Sequence, residues 1–285
     1  MKTIFLIINY NDADTTEMLI KNIINYNCLD CIVVLDNKST DNSYTYLSQK
    51  YKTEHIHVIQ SEINKGYAYG INFGCQYIEK LYGDANVIIS NSDIEIRSEK
   101  DIEKLIACKK KDYAIVAPII FTHGKIDRGW KIPSPLQDCL LNIVYIHKFL
   151  KPKLLFYKDS YYASKGLKEV EVILGCFFLI DTYYLKKVNY FDENTFLYYE
   201  ENIMAKKLKD ISVKTMINCD VEVIHNHSVS IDKSINKIKK YKLLKESQFY
   251  FQKEYNHANL IERFLLKFTD KMSYCILKIV YTITK

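Results

Sequence analysis

Apolar residues fall along this chain in two periods. Ile4–Ile8, Cys31–Leu35, Ile56–Gln60, Asn86–Ser90 and Tyr113–Pro118 are short apolar runs of strand length, separated by polar segments. After the first, Thr16, Leu19, Ile20, Ile23 and Ile24 recur at i, i+3, i+4, i+7 and i+8, the stripe of an amphipathic helix. Segments from about 41 to 50 and from 67 to 81 also read as helices. Strands alternating with helices predict an α/β fold with βαβ units and a mostly parallel central sheet flanked by helices. Residues 121–170 look irregular and hold the single Trp and three of the four prolines, Pro133, Pro135 and Pro152. Regular patterning resumes with a strand over Val170–Ile180, a helix at about 197–210, a strand over Val213–Ile224, and helix from 235 onward.

In such sheets, ligands bind beyond the carboxyl ends of the strands. That rule selects Asn9-Tyr10, Asp36–Asp41 and Asn91–Asp93, three polar clusters that directly follow apolar strands. Ser39 or Thr40 could cap the following helix and Asp41 suits its first turn, but neither role explains Asp36. A carboxylate closing a buried strand can accept hydrogen bonds from a nucleobase or ribose. Asp93 is placed to bind Mg²⁺ or Mn²⁺, hard ions that take one or two carboxylates together with phosphates; an Asx turn is the simpler account of Asn91. In Asn64-Lys-Gly-Tyr-Ala-Tyr-Gly-Ile-Asn-Phe-Gly74, the glycines at 66, 70 and 74 share a helical face suited to close packing. Lys65 beside Gly66 at a helix start is a natural anion site.

Two later clusters also carry chemistry. Glu200 and Glu201 follow an aromatic run at a helix start, where they either complement the helix dipole or supply a general base. They are adjacent and point different ways, so at most one reaches a reacting centre. His225 and His227 end a strand, and one imidazole joining Asp93 around a hard cation fits better than a two-His zinc site. Trp130, with Arg128 and Lys131, either lines a sugar or acceptor side or belongs to the core.

Charge alters the picture only at one end. The 285 residues carry a net +6, yet residues 233–285 alone hold twelve basic and four acidic residues, so residues 1–232 are at −2. Six lysines lie between Lys233 and Lys245, and beyond them Ile261, Phe264, Leu265, Phe268, Met272 and Ile276 keep helical spacing. Three readings stand: helices packed on the rest of the chain, a basic amphipathic segment on an anionic membrane surface, or a homodimer interface. No nucleic-acid-binding signature accompanies the lysines. The eight cysteines are scattered, with Cys28 and Cys31 the one close pair, and read as reduced thiols of a cytoplasmic protein. No run reaches the roughly 20 apolar residues of a membrane span.

Asn9-Tyr-Asn, Asp36-Asn-x-Ser-x-Asp41, Asn64-x-Gly-Tyr-Ala-x-Gly-x-Asn72, Asn91-x-Asp93, Gly175-Cys, Asp192-Glu…Glu200-Glu201 and His225-x4-Ser230 occur in the order found in family 2 glycosyltransferases. Over residues 1–232 the chain resembles that family, and most of all bacterial rhamnosyl- or galactofuranosyltransferases of capsule, O-antigen and cell-wall rhamnan synthesis. The resemblance implies a GT-A catalytic domain over 1–232, with a nucleotide-sugar half to about 120 and an acceptor half from about 121. A basic helical tail over 233–285 follows. It implies inverting transfer from a nucleotide-sugar donor to a polysaccharide or lipid-linked saccharide; a lipid-linked acceptor would make the membrane-surface reading of the tail useful, with a cytoplasmic enzyme peripheral at the inner face of the plasma membrane. Asn9, Tyr10, Asp36, Ser39, Lys65, Asn72, Ser92 and Asp93 would bind the donor, Asp93 and His225 the metal (Mn²⁺ or Mg²⁺), and Trp130 and Gly175 would face the sugar or acceptor. Glu201 stands where the family's usual catalytic Asp does, with Glu200 as the alternative. Asn91 replaces the first acid of the usual DxD motif, and Lys206 or Lys207 a later Arg. A sugar nucleotidyltransferase would want a GxGxR-type signature, absent here; an inactive sugar-binding or scaffolding subunit is the other alternative.

Overall fold

The computed structural model describes residues 1–51, 53–226 and 237–283; His227, Ser230 and Lys233 lie outside them. The first βαβ units follow the expected order: β1 (Lys2–Asn9), α1 (Ala13–Ile23), β2 (Cys31–Asp36), α2 (Ser43–Lys50), β3 (Ile56–Gln60), α3 (Tyr67–Tyr82) and β4 (Ala85–Asn91). A short β5 (Ile94–Ile96), α4 (Glu99–Ala107) and β6 (Tyr113–Thr122) come next. The stretch expected to be irregular contains β7 (Lys125–Asp127), α5 (Pro135–Leu141), α6 (His147–Leu154), α7 (Asp159–Ala163) and β8 (Leu167–Val170). Then come β9 (Phe177–Asp181), α8 (Thr182–Lys187), α9 (Glu200–Asp210), β10 (Lys214–His225), α10 (Lys237–Glu254) and α11 (Leu260–Ile283).

The strands form one sheet in the order β3-β2-β1-β4-β9-β6-β10-β5, with β7 on β6 and β8 on β10. Strands β3, β2, β1 and β4 are parallel, as are β6 and β10, whereas β9 runs antiparallel between β4 and β6. The side-chain period of two sends Ile4, Leu6 and Ile8 of β1 to one face and Phe5 and Ile7 to the other. The first face is covered by α3, α8 and α9 through residues such as Ile71, Leu185 and Met204. The second is covered by α1, α2 and α4 through Leu19, Leu47 and Ile102. Buried on both sides, these strands carry the continuous apolar runs that marked them in sequence.

Two expectations need correcting. The apolar run over 170–180 is not one strand: β8 pairs with β10, whereas β9 lies between β4 and β6. Residues 171–176 form the connection, because hydrophobic periodicity records burial and is silent about which neighbour supplies it. The cap of α2 is also different. Its N-cap is Asn42, and the Ser43 amide donates to Asp41 Oδ1 at 2.9 Å, while Ser39 and Thr40 are engaged elsewhere.

Both C-terminal helices pack on the rest of the chain. On α10, Phe251 and Gln252 are fully buried, the Ser247 hydroxyl donates to Leu197 O at 2.8 Å, and Gln252 Nε2 donates to Pro133 O at 3.1 Å. On α11, Leu266 and Ser273 face α5, whose Asn142 side chain donates to Thr269 Oγ1 at 3.3 Å.

Candidate active site

The carboxyl ends of β1, β2 and β4, the end of β10 and the start of α9 converge on one side of the sheet. At the ends of β1 and β2, Asp36 is fully buried and accepts four hydrogen bonds. The Ser39 amide (2.9 Å) and Gln60 Nε2 (2.9 Å) donate to Oδ1; Asn9 Nδ2 (2.7 Å) and the Ser39 hydroxyl (2.6 Å) donate to Oδ2. Asn9 is fixed in turn by the Thr16 hydroxyl, which donates to its Oδ1 at 2.8 Å. Asn9, Asp36 and Ser39 therefore form one rigid polar floor, and half-buried Tyr10 stands at its edge. Gln60 belongs to this floor; as the last residue of an apolar strand it gave no sign of that in sequence.

The segment around Gly66 closes on the loop that leads into α9. Gly66 has φ +106°, and a Cβ there would lie 2.1 Å from the Phe196 carbonyl oxygen, so only glycine permits that approach. The Tyr67 amide donates to the same carbonyl at 3.2 Å, and the Gly66 amide to Asn64 Oδ1 at 3.0 Å. The N-terminus of α3 is thus capped by the loop that leads into α9. Lys65 is exposed, its ammonium 5.3 Å from the Tyr69 ring centre. Asn72, expected on the donor side, is a clamp on the same loop. Its Nδ2 donates to Phe191 O (2.9 Å) and Glu193 Oε1 (2.8 Å), and its Oδ1 accepts from the Phe191 amide (3.0 Å). Of the three glycines, Gly66 precedes α3, and only Gly70 and Gly74 pack along it, against Asn37 and Leu6.

That loop is held from the other side as well. Asp192 Oδ2 accepts from the hydroxyls of Tyr250 (2.8 Å) and Tyr255 (2.5 Å). Tyr198 and Tyr199 both have positive φ, 73° and 68°, an uncommon conformation for bulky residues that needs support from its surroundings. The Tyr199 hydroxyl supplies some of it by donating to buried Asp138 on α5 at 2.9 Å, and Gln252 Nε2 donates to the same oxygen at 2.6 Å. Immediately afterwards α9 begins with Glu200 and Glu201. Lys207, about two turns further on, donates to the Tyr190 carbonyl at 2.6 Å, while Lys206 pairs with Asp210.

The two acids differ in setting. Glu200 is buried, and its Oε1 has no hydrogen-bond partner among the described residues. Burial, and then the charge of Glu201, hold its carboxyl well above the usual range. Glu201 is half-buried, and its Oε1 accepts from the Gly175 amide at 3.2 Å. Burial raises its pKa too, opposed by backbone hydrogen bonds and by the positive charge of Lys151 on α6. A Cβ at position 175 would come within 2.5 Å of Glu201 Oε1, so the Gly175 position is set by this contact. The split between β8 and β9 is what brings that glycine here.

Tyr67 joins the halves. Its hydroxyl lies 2.8 Å from both Asn91 Oδ1 and Gly175 O, at the end of β4. Burial, then the acidic groups of Cys176, Glu201, Glu200 and Asp93, push its pKa well above normal. Tyr67 stood inside a recognised motif, yet its role was hidden by the pairing of two segments 108 residues apart. Beside it, Ser92 and Asp93 are buried in the turn after β4, and Asp93 Oδ1 lies 3.2 Å from His225 Nε2 at the end of β10. That spacing suits two neighbouring ligands of one octahedral cation, whose bonds of about 2.1 Å put adjacent ligands about 3 Å apart. No group of three or more such ligands occurs among the described residues, so diphosphate oxygens or waters would have to complete the shell. Trp130 flanks α9: its indole N–H donates to Asn202 Oδ1 at 2.9 Å, and its backbone pairs with Val172.

This is the architecture of a GT-A fold, an α/β sheet with a polar cleft at its carboxyl edge and a C-terminal helical region. Residues 4–188 match the model of glycosyl transferase family 2, and the chain belongs to that family. The low-salt glycan biosynthesis hexosyltransferase Agl10 of Haloferax volcanii is 25% identical over 224 residues, 79% of this chain and 67% of that protein. Among solved structures, GalNAc-T7 with UDP, GalNAc and Mn²⁺ superposes with a TM-score of 0.63 at 12% identity; all of this chain is covered, spanning 57% of that one. TarS 1–349 of S. aureus gives 0.57 at 14% identity, covering 100% of this chain and 92% of that one. TarS 1–349 with UDP-GlcNAc gives 0.57 at 15%, covering 87% and 65%.

Proposed function

We propose that the protein is an inverting, metal-dependent hexosyltransferase. It would move a sugar from a nucleotide-diphosphate donor of the dTDP-rhamnose, UDP-hexose or UDP-galactofuranose type to a hydroxyl of a polysaccharide or lipid-linked saccharide. The observation that carries this reading is the convergence at one sheet edge of the Asp93–His225 pair, the Tyr67 bridge and the Glu201 carboxylate pinned by the Gly175 amide. The nucleoside would lie along Tyr10 and the floor made by Asn9, Asp36 and Ser39, with Ser92 beside the diphosphate. The structures of GalNAc-T7 with UDP and of TarS with UDP-GlcNAc support a nucleotide-sugar donor for this fold.

Asp93 and His225 would hold Mn²⁺ or Mg²⁺, which neutralises charge on the departing diphosphate. Glu201 would accept the proton of the acceptor hydroxyl as that oxygen attacks the anomeric carbon opposite the leaving group, which inverts the configuration. Its raised pKa makes the carboxylate a stronger base, and half-burial leaves it reachable. Burial and the charge of Glu201 favour the protonated form of neighbouring Glu200. Trp130 would border the sugar or acceptor, steadied by Asn202.

The test is nucleoside diphosphate release across a panel of dTDP- and UDP-sugars, with Mn²⁺, Mg²⁺ or EDTA, followed by linkage analysis of the product. The wild type should release nucleotide only with metal, Glu201→Gln should lose about 10²-fold or more in kcat while still binding donor, and Asp93→Asn should lose metal-dependent donor binding. Full activity of Glu201→Gln, or no turnover with any donor, would reject the assignment.

A further inference from the structure

Helix α11 turns one face to the protein and leaves an apolar face uncovered. Leu266 and Ser273 are buried against the body, whereas Ile261, Phe264 and Phe268, at i, i+3 and i+7 on the opposite side, are 73%, 66% and 56% exposed. Exposed Lys267, Lys271 and Lys278 run along one flank of that stripe. The acids of the helix are occupied within the protein: Glu262 accepts from the Asn259 amide at 2.8 Å, and Asp270 from the Tyr241 hydroxyl at 2.8 Å. Large exposed apolar side chains beside cations, with the carboxylates turned to internal partners, are complementary to a surface that is apolar below and anionic above.

Two neighbouring helices carry exposed apolar residues of their own. Helix α5 contacts α11 through Cys139, whose thiol lies 4.0 Å from Glu262 O, and through Asn142. It exposes Leu136 and Leu140, and α6 then exposes Phe149 (74%) together with Lys148 and Lys153. No described helix is long and apolar enough to cross a membrane. At 24 residues α11 is about 36 Å long, which suits a helix lying in the interfacial plane.

We propose that α11, with the exposed faces of α5 and α6, docks the protein on an anionic lipid bilayer. The basic stretch of α10 is not the main element of this surface, since α10 is anchored by buried Phe251 and Gln252. Helix α5 also meets the segment before the acids, since its buried Asp138 accepts from the hydroxyl of Tyr199, the residue immediately before Glu200. Docking would set the cleft at headgroup level, where the hydroxyl of a lipid-linked acceptor is presented. The docking itself does not depend on the transfer reaction and is measured without donor or acceptor.

The experiment is flotation of the full chain with phosphatidylglycerol–phosphatidylcholine vesicles and with phosphatidylcholine alone, at low and high salt. Wild-type protein should float with the anionic vesicles, less so in high salt and little with neutral ones. Phe264→Glu/Phe268→Glu and, separately, Lys267→Glu/Lys271→Glu should each reduce partitioning about tenfold or more. Both should keep the wild-type circular dichroism, and the phenylalanine variant also the melting temperature, because Phe264 and Phe268 are exposed, whereas the Lys267 ammonium packs 4.7 Å from the Phe249 ring centre. Phe149→Glu, on a different helix, repeats the test should either double variant fail to fold. Partitioning equal between variants and wild type would overturn the proposal. So would an absence of vesicle binding combined with a sedimentation-defined dimer that Phe264→Glu/Phe268→Glu dissolves, which would give the face to a second copy of the chain.

Discussion

The contact between Gly66 and Phe196 offers the sharpest test of how this cleft is built. Replacing Gly66 by Ala places a methyl group 2.1 Å from a backbone carbonyl oxygen in a position with φ +106°. The left-handed conformation alone costs a non-glycine residue about 1–2 kcal/mol. Overpacking against backbone adds about 1–3 kcal/mol, because no flexible side-chain end is there to move. Gly83 separates these effects: its φ is +70°, and a Cβ there would meet nothing within 4 Å. Gly83→Ala should therefore lose only the conformational part, about 1–2 kcal/mol, and keep wild-type kcat. Gly66→Ala should lose about 2–5 kcal/mol in denaturant unfolding. It should also displace the 191–199 loop, and with it the start of α9, by an amount on the order of 1 Å, enough to lower kcat by about 10²-fold. Equal stability losses for the two variants, with kcat unchanged in Gly66→Ala, would refute the claim that this contact positions the acids.

Two further outcomes follow from the site. The pKa of Glu200 is raised in the fold, so its burial favours the protonated form, and that contribution is present below the ordinary glutamate pKa and lost as pH rises through the folded value. As pH rises above the ordinary glutamate pKa the wild type should thus lose melting temperature relative to Glu200→Gln, and parallel curves would contradict the burial argument. Tyr67→Phe should lose about 1–3 kcal/mol of stability and lower kcat more than it raises KM, since it frees Asn91 and the Gly175 carbonyl on both sides of the cleft; an effect confined to KM would make Tyr67 a donor contact instead.

Much of the catalytic half was legible in the sequence because its elements announce themselves locally. A strand buried on both faces is largely apolar, so β1, β2, β4 and β6 appear as apolar runs, while the edge strand β3 is half-buried and carries His57; the polar residues that end β1, β2 and β4 mark the cleft. That rule and the motif order singled out Asn9, Asp36, Ser39, Asp93, Glu201 and His225, and the fold gathers them at one edge of the sheet. The run over 170–180 misled because two strands with different partners are equally apolar, and the polarity of a segment says nothing of its neighbours.

What the chain determined by itself was the alternation of elements, the polar strand ends and the family. Only the tertiary structure decided how those residues are used. It tied Asn72 and Gly66 to the loop that precedes the acids, a segment 119 or more residues away. It also gave Tyr67 its place between Asn91 and Gly175, and it divided the basic tail into a helix anchored on the body and one with an uncovered apolar face. Amphipathic spacing shows that a helix has two faces, but which of them meets the protein depends on the surface it packs against.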